Sequence, residues 1–140
     1  MNIKIKNNKG KVLVVLDKNI CPNLVGLSLR KANFSHIELI NPFLENSDLR
    51  EADLSHAKLT GGDFDGADLT GAKFIGADLR GADFDSATCL GTDFTGADLT
   101  GANFKYADLK NAIFTNAILT DVCFEDADFS CHSDSKDEME

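Results

Sequence analysis

No run of apolar residues in the 140-residue chain approaches the roughly 20 needed to cross a bilayer, so no membrane-spanning helix is expected. The opening stretch MNIKIKNNKGKVLVVLDKN lacks the long apolar core and small-residue cleavage site of a secretory signal. Cysteine is sparse. Cys21, Cys89, Cys123 and Cys131 stand at unrelated spacings with no Cys-x-x-Cys pair, which reads as free thiols in a reducing cytoplasm. Cations are outnumbered, 14 Lys and Arg against 23 Asp and Glu. An acidic body of this kind argues against direct nucleic-acid binding, which needs cations to displace counterions. A phosphate-cradling glycine loop is also missing, because the glycines recur every five residues.

What is present is a cadence. Taking every fifth residue from Leu24 to Phe129 gives 22 positions, all Leu or Phe except Cys89. Two residues before these positions Ala occurs 14 times, and immediately before them Asp occurs ten times. On an α-helix five residues turn through about 140°, so such a stripe would bury no single face. On a straight strand an odd spacing sends successive members to opposite sides. All the Leu and Phe can point inward only if the backbone turns a corner in every repeat and coils around its own side chains. Gly at 61, 66, 71, 76, 81, 91, 96 and 101, and Asn at 41, 46, 111 and 116, stand two residues after the inward position. There a type II turn needs positive φ. Leu recurs at 39, 59, 79, 99 and 119, and Phe at 64, 84, 104 and 124. This rhythm suits a four-sided coil of 20 residues with Phe on two opposite walls, and it also suits a coil of ten.

The run resembles the pentapeptide repeat family, with its A-(D/N)-(L/F)-x-x pattern, in ADLTG, ANFKY and ADFDS. The resemblance covers about residues 22–131 and implies an all-β fold, a right-handed quadrilateral β-helix with four repeats per coil. The 22 repeats then make about five and a half coils, a rod roughly 25 Å long at about 4.8 Å per coil. Residues 1–20 are expected to form an N-terminal cap, a β-hairpin over 2–16 laid on the first coil, because NIKIK and KVLVVL alternate and NNKG is a turn signal. A basic arm for an acidic surface is the other reading of this segment. Residues 21–131 are the β-helix, and 132–140 form a polar, disordered tail.

Few residues invite chemistry. A tube filled with its own side chains offers no cleft, so no catalytic, cofactor or metal residues are assigned and the protein is read as no enzyme. His36 and His56 fall one coil apart and could hold a metal, but no third ligand is evident, and an exposed, inert pair is expected. Cys89 is read as a small apolar filler. The outward slot just before the inward residue, usually Asp, becomes Ile113, Ile118 and Cys123 near the carboxyl end. With Phe124 and Phe129 these mark a candidate interface for a homodimer through the last coil, or a surface over which the tail folds back.

The function expected is a rigid, acidic protein-interaction or scaffold module with no named partner. Family members resembling quinolone-resistance proteins mimic DNA and bind gyrase, and the resemblance makes gyrase modulation the alternative. Residues 21–131 carry 8 basic and 18 acidic side chains, a net −10, expected to be spread over all four walls with no one face matching DNA. Duplex DNA would place about 15 charges along 25 Å. Cation buffering is a third, minor class, since flat walls make poor calcium cages.

Overall fold

The computed structural model of the protein describes residues 2–17 and 21–130. Among them lie three short strands and a long series of single-residue bridges, with no helix. β1 (Asn2–Asn7) and β2 (Val12–Asp17) pair antiparallel, with Ile3 opposite Leu16 and Ile5 opposite Val14. Asn7 closes the turn between them, its Oδ1 accepting the N–H groups of Lys9 at 3.0 Å and Lys11 at 2.9 Å. β1 also pairs antiparallel with β3 (Ala32–Asn33), with Lys6 opposite Asn33. Strand alternation turns Ile5 and Leu16 into the core of the first coil, where they are 2% and 7% exposed. The tail expected over 132–140 lies outside the described residues.

From Asn23 onward the bridges join each residue to the one 20 positions later. Four such ladders run the length of the rod: Asn23 to Cys123, Ser28 to Asp128, Asn33 to Ile113 and Glu38 to Ile118. The coil therefore has four walls, and the ten-residue alternative is excluded. The architecture is a right-handed quadrilateral β-helix. Its backbone is bonded from coil to coil. The N–H of Phe84 donates to the carbonyl of Asn103 at 2.6 Å in the next coil, and that of Asp83 to Gly62 at 2.8 Å in the one before.

Each corner is a turn closed by a bond such as Ala87 N–H to the Phe84 carbonyl at 3.0 Å. The corner residue two after each inward position has positive φ at every repeat from Gly26 to Asp126, the signature of a type II turn. Gly and Asn were the legible occupants, but Lys31, His36, Glu51, His56, Ser86 and Tyr106 adopt the same φ, near 60°. The outward Asp braces the corner. Asp63, Asp83 and Asp93 each accept, through Oδ1, the N–H two residues on, at 2.9–3.0 Å. Asn103 does the same at 3.0 Å, so the slot needs a side-chain carbonyl-type oxygen and not a charge.

Inward residues from Leu24 to Leu109 are at most 6% exposed. The Phe rings form two columns on opposite walls. Phe64, Phe84 and Phe104 stack with centroids 4.8 and 4.6 Å apart, and Phe74 and Phe94 with 5.2 Å. The columns meet edge to face, Phe74 against Phe84 at 6.0 Å and 90°. Where Cys89 interrupts a Leu column it is fully buried, and burial pushes its thiol pKa well up. Nearby Thr92, standing in an Ala slot, is buried too and donates from Oγ1 to the Leu69 carbonyl at 2.8 Å.

Candidate interaction surfaces

The 20-residue register assigns every charge of residues 21–130 to a wall, and the charge expected to be spread over all four walls gathers mostly on one. The first wall, along the Asn23 to Cys123 ladder, carries Glu45, Asp63, Asp65, Asp83, Asp85, Glu125 and Asp126 against Lys105 alone, a net −6 out of −10. The second wall holds five carboxylates and four cations, the third two and one, the fourth four and two. Periodicity explains the concentration: Asp63 and Asp83 share one column, Asp65 and Asp85 the adjacent one, so the same chemistry recurs every turn.

Pairing deepens the contrast. On the second wall Arg50 grips Asp48 with both nitrogens, at 2.9 and 2.7 Å, and Lys110 lies 3.4 Å from both Asp108 and Asp128. On the fourth, Arg80 grips Asp78 in the same way, at 2.8 and 2.7 Å. These guanidinium bonds hold the carboxyls of Asp48 and Asp78 below their ordinary value. On the first wall the ion pair among the described residues is Lys105–Glu125 at 3.8 Å, at the carboxyl end. Among the described residues, Asp63, Asp65, Asp83 and Asp85 have no cation within salt-bridge reach. Partial burial, then the charges of Asp85, Asp83 and Asp63, raises the Asp65 carboxyl above its ordinary value. Two aromatics stand beside this strip, Phe43 at 42% exposure and Tyr106 at 56%. Sequence reasoning missed both the strip and its aromatics, although summing charge modulo 20 would have found the strip.

The carboxyl end is the second surface. Ile113 and Ile118 are 43% and 48% exposed, and Cys123 and Phe129 are exposed as well, while Phe124 is half-buried. Leu119, an inward residue not assigned to the interface from sequence, is 40% exposed. Among the described residues, the N–H groups of Phe114, Asn116, Leu119, Asp121, Phe124 and Asp126 meet no backbone carbonyl, and the carbonyls of Ala112, Ala117 and Val122 meet no N–H. In every earlier coil the equivalent groups are bonded forward.

Other candidates hold less. His36 and His56 stack with centroids 5.1 Å apart and planes 19° from parallel, both exposed, and His56 lies over Gly76. Among the described residues no three His, Cys, Asp or Glu side chains gather as a metal site. Cys21 is exposed, its Sγ–H donating to the Asn41 carbonyl at 3.0 Å. A shallow, open groove of about 440 Å³ lies where the hairpin meets the coil, lined by Asn8, Lys31, Asn33, Glu51, Asp53 and Lys73. Its alternating charges neutralise one another and nothing converges in it. Among the described residues no helix is long and apolar enough to cross a membrane.

Comparison with known proteins places the chain. The pattern of pentapeptide repeats matches in eight copies, over residues 28–66, 63–101 and 92–130. Curated protein sequences yield no match. Among solved structures, a pentapeptide repeat protein of the Arabidopsis thaliana thylakoid lumen is 40% identical over 70% of this chain and 72% of its own, with a TM-score of 0.57. Rfr23, a pentapeptide repeat protein from the cyanobacterium Cyanothece 51142, is 23% identical with a TM-score of 0.64, and covers 66% of this chain. This chain in turn spans 64% of Rfr23. The plasmid-mediated fluoroquinolone resistance protein QnrB1 matches at 20% identity and a TM-score of 0.32, a superposition too loose to carry an argument. On the repeats matched, the four-walled coil and the Arabidopsis likeness, the chain belongs to the pentapeptide repeat family.

Proposed function

We propose that the protein is a non-enzymatic docking module whose first wall receives a basic segment of another protein. The observation that carries this reading is the strip of Asp63, Asp65, Asp83 and Asp85, four carboxylates with no cation partner among the described residues, on the wall that holds a net −6 of the −10 carried by residues 21–131. A partner lysine or arginine would relieve the mutual repulsion that, after partial burial, raises the Asp65 carboxyl. The backbone beneath is bonded on both sides, so binding would order little of the rod and lose little entropy. Phe43 supplies aromatic area beside the strip, where an arginine can stack, while the Tyr106 ring already carries Lys105 Nζ 5.3 Å from its centroid. The reading includes a reducing cytoplasm, on the free thiols of Cys21, Cys89 and Cys123.

Titration of a short lysine- and arginine-rich peptide tests it. Binding is expected to weaken as salt rises and to be lost when Asp63, Asp65, Asp83 and Asp85 are all changed to Asn. The fold should survive, because Asn103 already braces the corner as Asp does. A control with Asp48, Asp68, Asp78 and Asp98 changed to Asn should still bind. Equal binding by both variants would overturn the assignment.

Duplex mimicry towards gyrase is the second reading, favoured by the gathering of charge on one wall. The count opposes it: a net −6 stands where about 15 charges of duplex would lie over the same length. A supercoiling assay with purified gyrase decides, and no effect at micromolar protein is the expected result.

A further inference from the structure

We infer that the outer edge of β2 is a strand-docking surface, which an extended, acidic segment of another protein joins as the next strand of the sheet. The sheet runs β2, β1, β3, so β1 is paired on both sides and β2 on one. Alternate residues of such a strand aim their N–H and C=O groups away from the sheet. Among the described residues, no backbone hydrogen bond of residues 12–16 reaches past β1. The edge also lacks protection. Its sequence VLVVL holds no charge, proline or glycine, and Val12 and Val15 are 42% and 49% exposed. The lysines that could blunt it, Lys4 and Lys6, stand on β1, the middle strand. A bulge at Leu13 interrupts the register once, and the pairs from Val14 to Leu16 run on without a break.

The molecule already contains one such addition. β1 lies antiparallel on β3, whose Asn33 heads the ladder of the third wall. A strand on β2 continues this stack by one rung, at about 4.8 Å. Its main chain takes the outward donors and acceptors, and its side chains alternate between the two faces of the sheet. On the inward face Leu13 and Val14 are half-buried against the core, and an apolar side chain of the incoming strand covers them further. On the outward face Val15 stands opposite Lys4, and Val12 opposite Lys6.

Charge names the occupant. The hairpin carries exposed Lys4, Lys6, Lys9 and Lys11 against Asp17, on a chain whose repeats are net −10. Asp or Glu at the outward positions of the incoming strand comes within about 10 Å of Lys4 and Lys6, two strand spacings and near the screening length at 0.1 M salt. The same lysines oppose pairing with β2 of a second copy, because two basic hairpins would then face each other. The segment that fits therefore alternates apolar and acidic residues, opposite in sign to the partner of the first wall.

A peptide of about eight residues alternating valine and glutamate, with blocked ends, tests this on the full chain. Titrated to about 1 mM, it should bind, slow the hydrogen exchange of amides in residues 12–16, and bind less well as salt rises. A peptide of equal charge with proline in place of valine cannot extend a ladder and should bind at least ten-fold more weakly. Val12→Glu with Val15→Glu alters two exposed positions, so the hairpin is retained, which circular dichroism verifies. That variant should bind the valine peptide at least ten-fold more weakly than the parent. The variant with Asp63, Asp65, Asp83 and Asp85 changed to Asn should bind it as the parent does, which keeps this test separate from that of the first wall. No binding, binding without slowed exchange in residues 12–16, or equal binding of the proline peptide overturns the inference. So does self-association in sedimentation that the Val12→Glu, Val15→Glu variant abolishes, since a second copy would then hold the edge.

Discussion

At the amino end Leu24, Leu29 and Phe34 are at most 1% exposed beneath Ile5 and Leu16 of the hairpin; at the carboxyl end Leu119 and Phe129, in the same inward slots, are 40% and 39% exposed. The repeat itself is indifferent to this difference, since each coil buries its inward side chains only if another layer follows. A solenoid's core is therefore finished by whatever lies on its last layer and not by the repeat. The comparison can be tested hard. Phe84→Ala removes a ring stacked on Phe64 and Phe104 and should lower stability by about 3–5 kcal/mol, read by urea unfolding. Leu119→Ala, in the open coil, should lower it by roughly 1 kcal/mol. Equal losses would mean that Leu119 is covered in solution.

Breaking the cap comes next in size. Ile5→Asp places a charge under the hairpin and should lower stability by about 3 kcal/mol. It should also turn the amino end into an exposed edge, read in sedimentation as a higher average mass than the parent shows. The corners give a smaller effect. Gly81 has φ +66° with nothing within 4 Å of an added Cβ, so Gly81→Ala tests backbone strain alone, about 1 kcal/mol less stable. Tyr106→Gly, at φ 59°, should gain up to about 1 kcal/mol by the same argument.

The walls give the smallest effects, and with opposite signs. Asp65 is held above its ordinary value of 3.8, so the folded state takes up a proton more readily and stability falls as pH rises through that window. Asp65→Asn should therefore stabilise at pH 7 by a few tenths of a kcal/mol, the gain vanishing below pH 3.8. Asp78 is held below 3.8 by Arg80, and its contribution is present above that pH and lost as pH falls through the folded value. Asp78→Asn should destabilise at pH 7 by less than about 1 kcal/mol, and the difference should close in acid.

Much of the fold was legible because one residue class, Leu or Phe at every fifth place, excludes both a straight strand and a helix. Coil size was not, because an alternation of Phe and Leu fits ten residues as well as 20; the bridge from Asp63 to Asp83 decides it. The outward Ile113 and Ile118 were readable as a break in the Asp column. Leu119 was not, since a core residue at an open end has the same identity as one in the middle. The corner conformations of Lys31, His36 and Tyr106 were also hidden, because the coil imposes positive φ on residues that carry no signal for it.

The unbroken run of rings from Phe64 to Phe124 has a mechanical consequence. Each layer is tied only to the layers directly before and after it, so damage cannot jump ahead. A force applied to the carboxyl terminus of the chain would peel the rod one storey at a time. Each step would release about 20 residues of slack, and the extension trace should be a staircase rather than a single rupture.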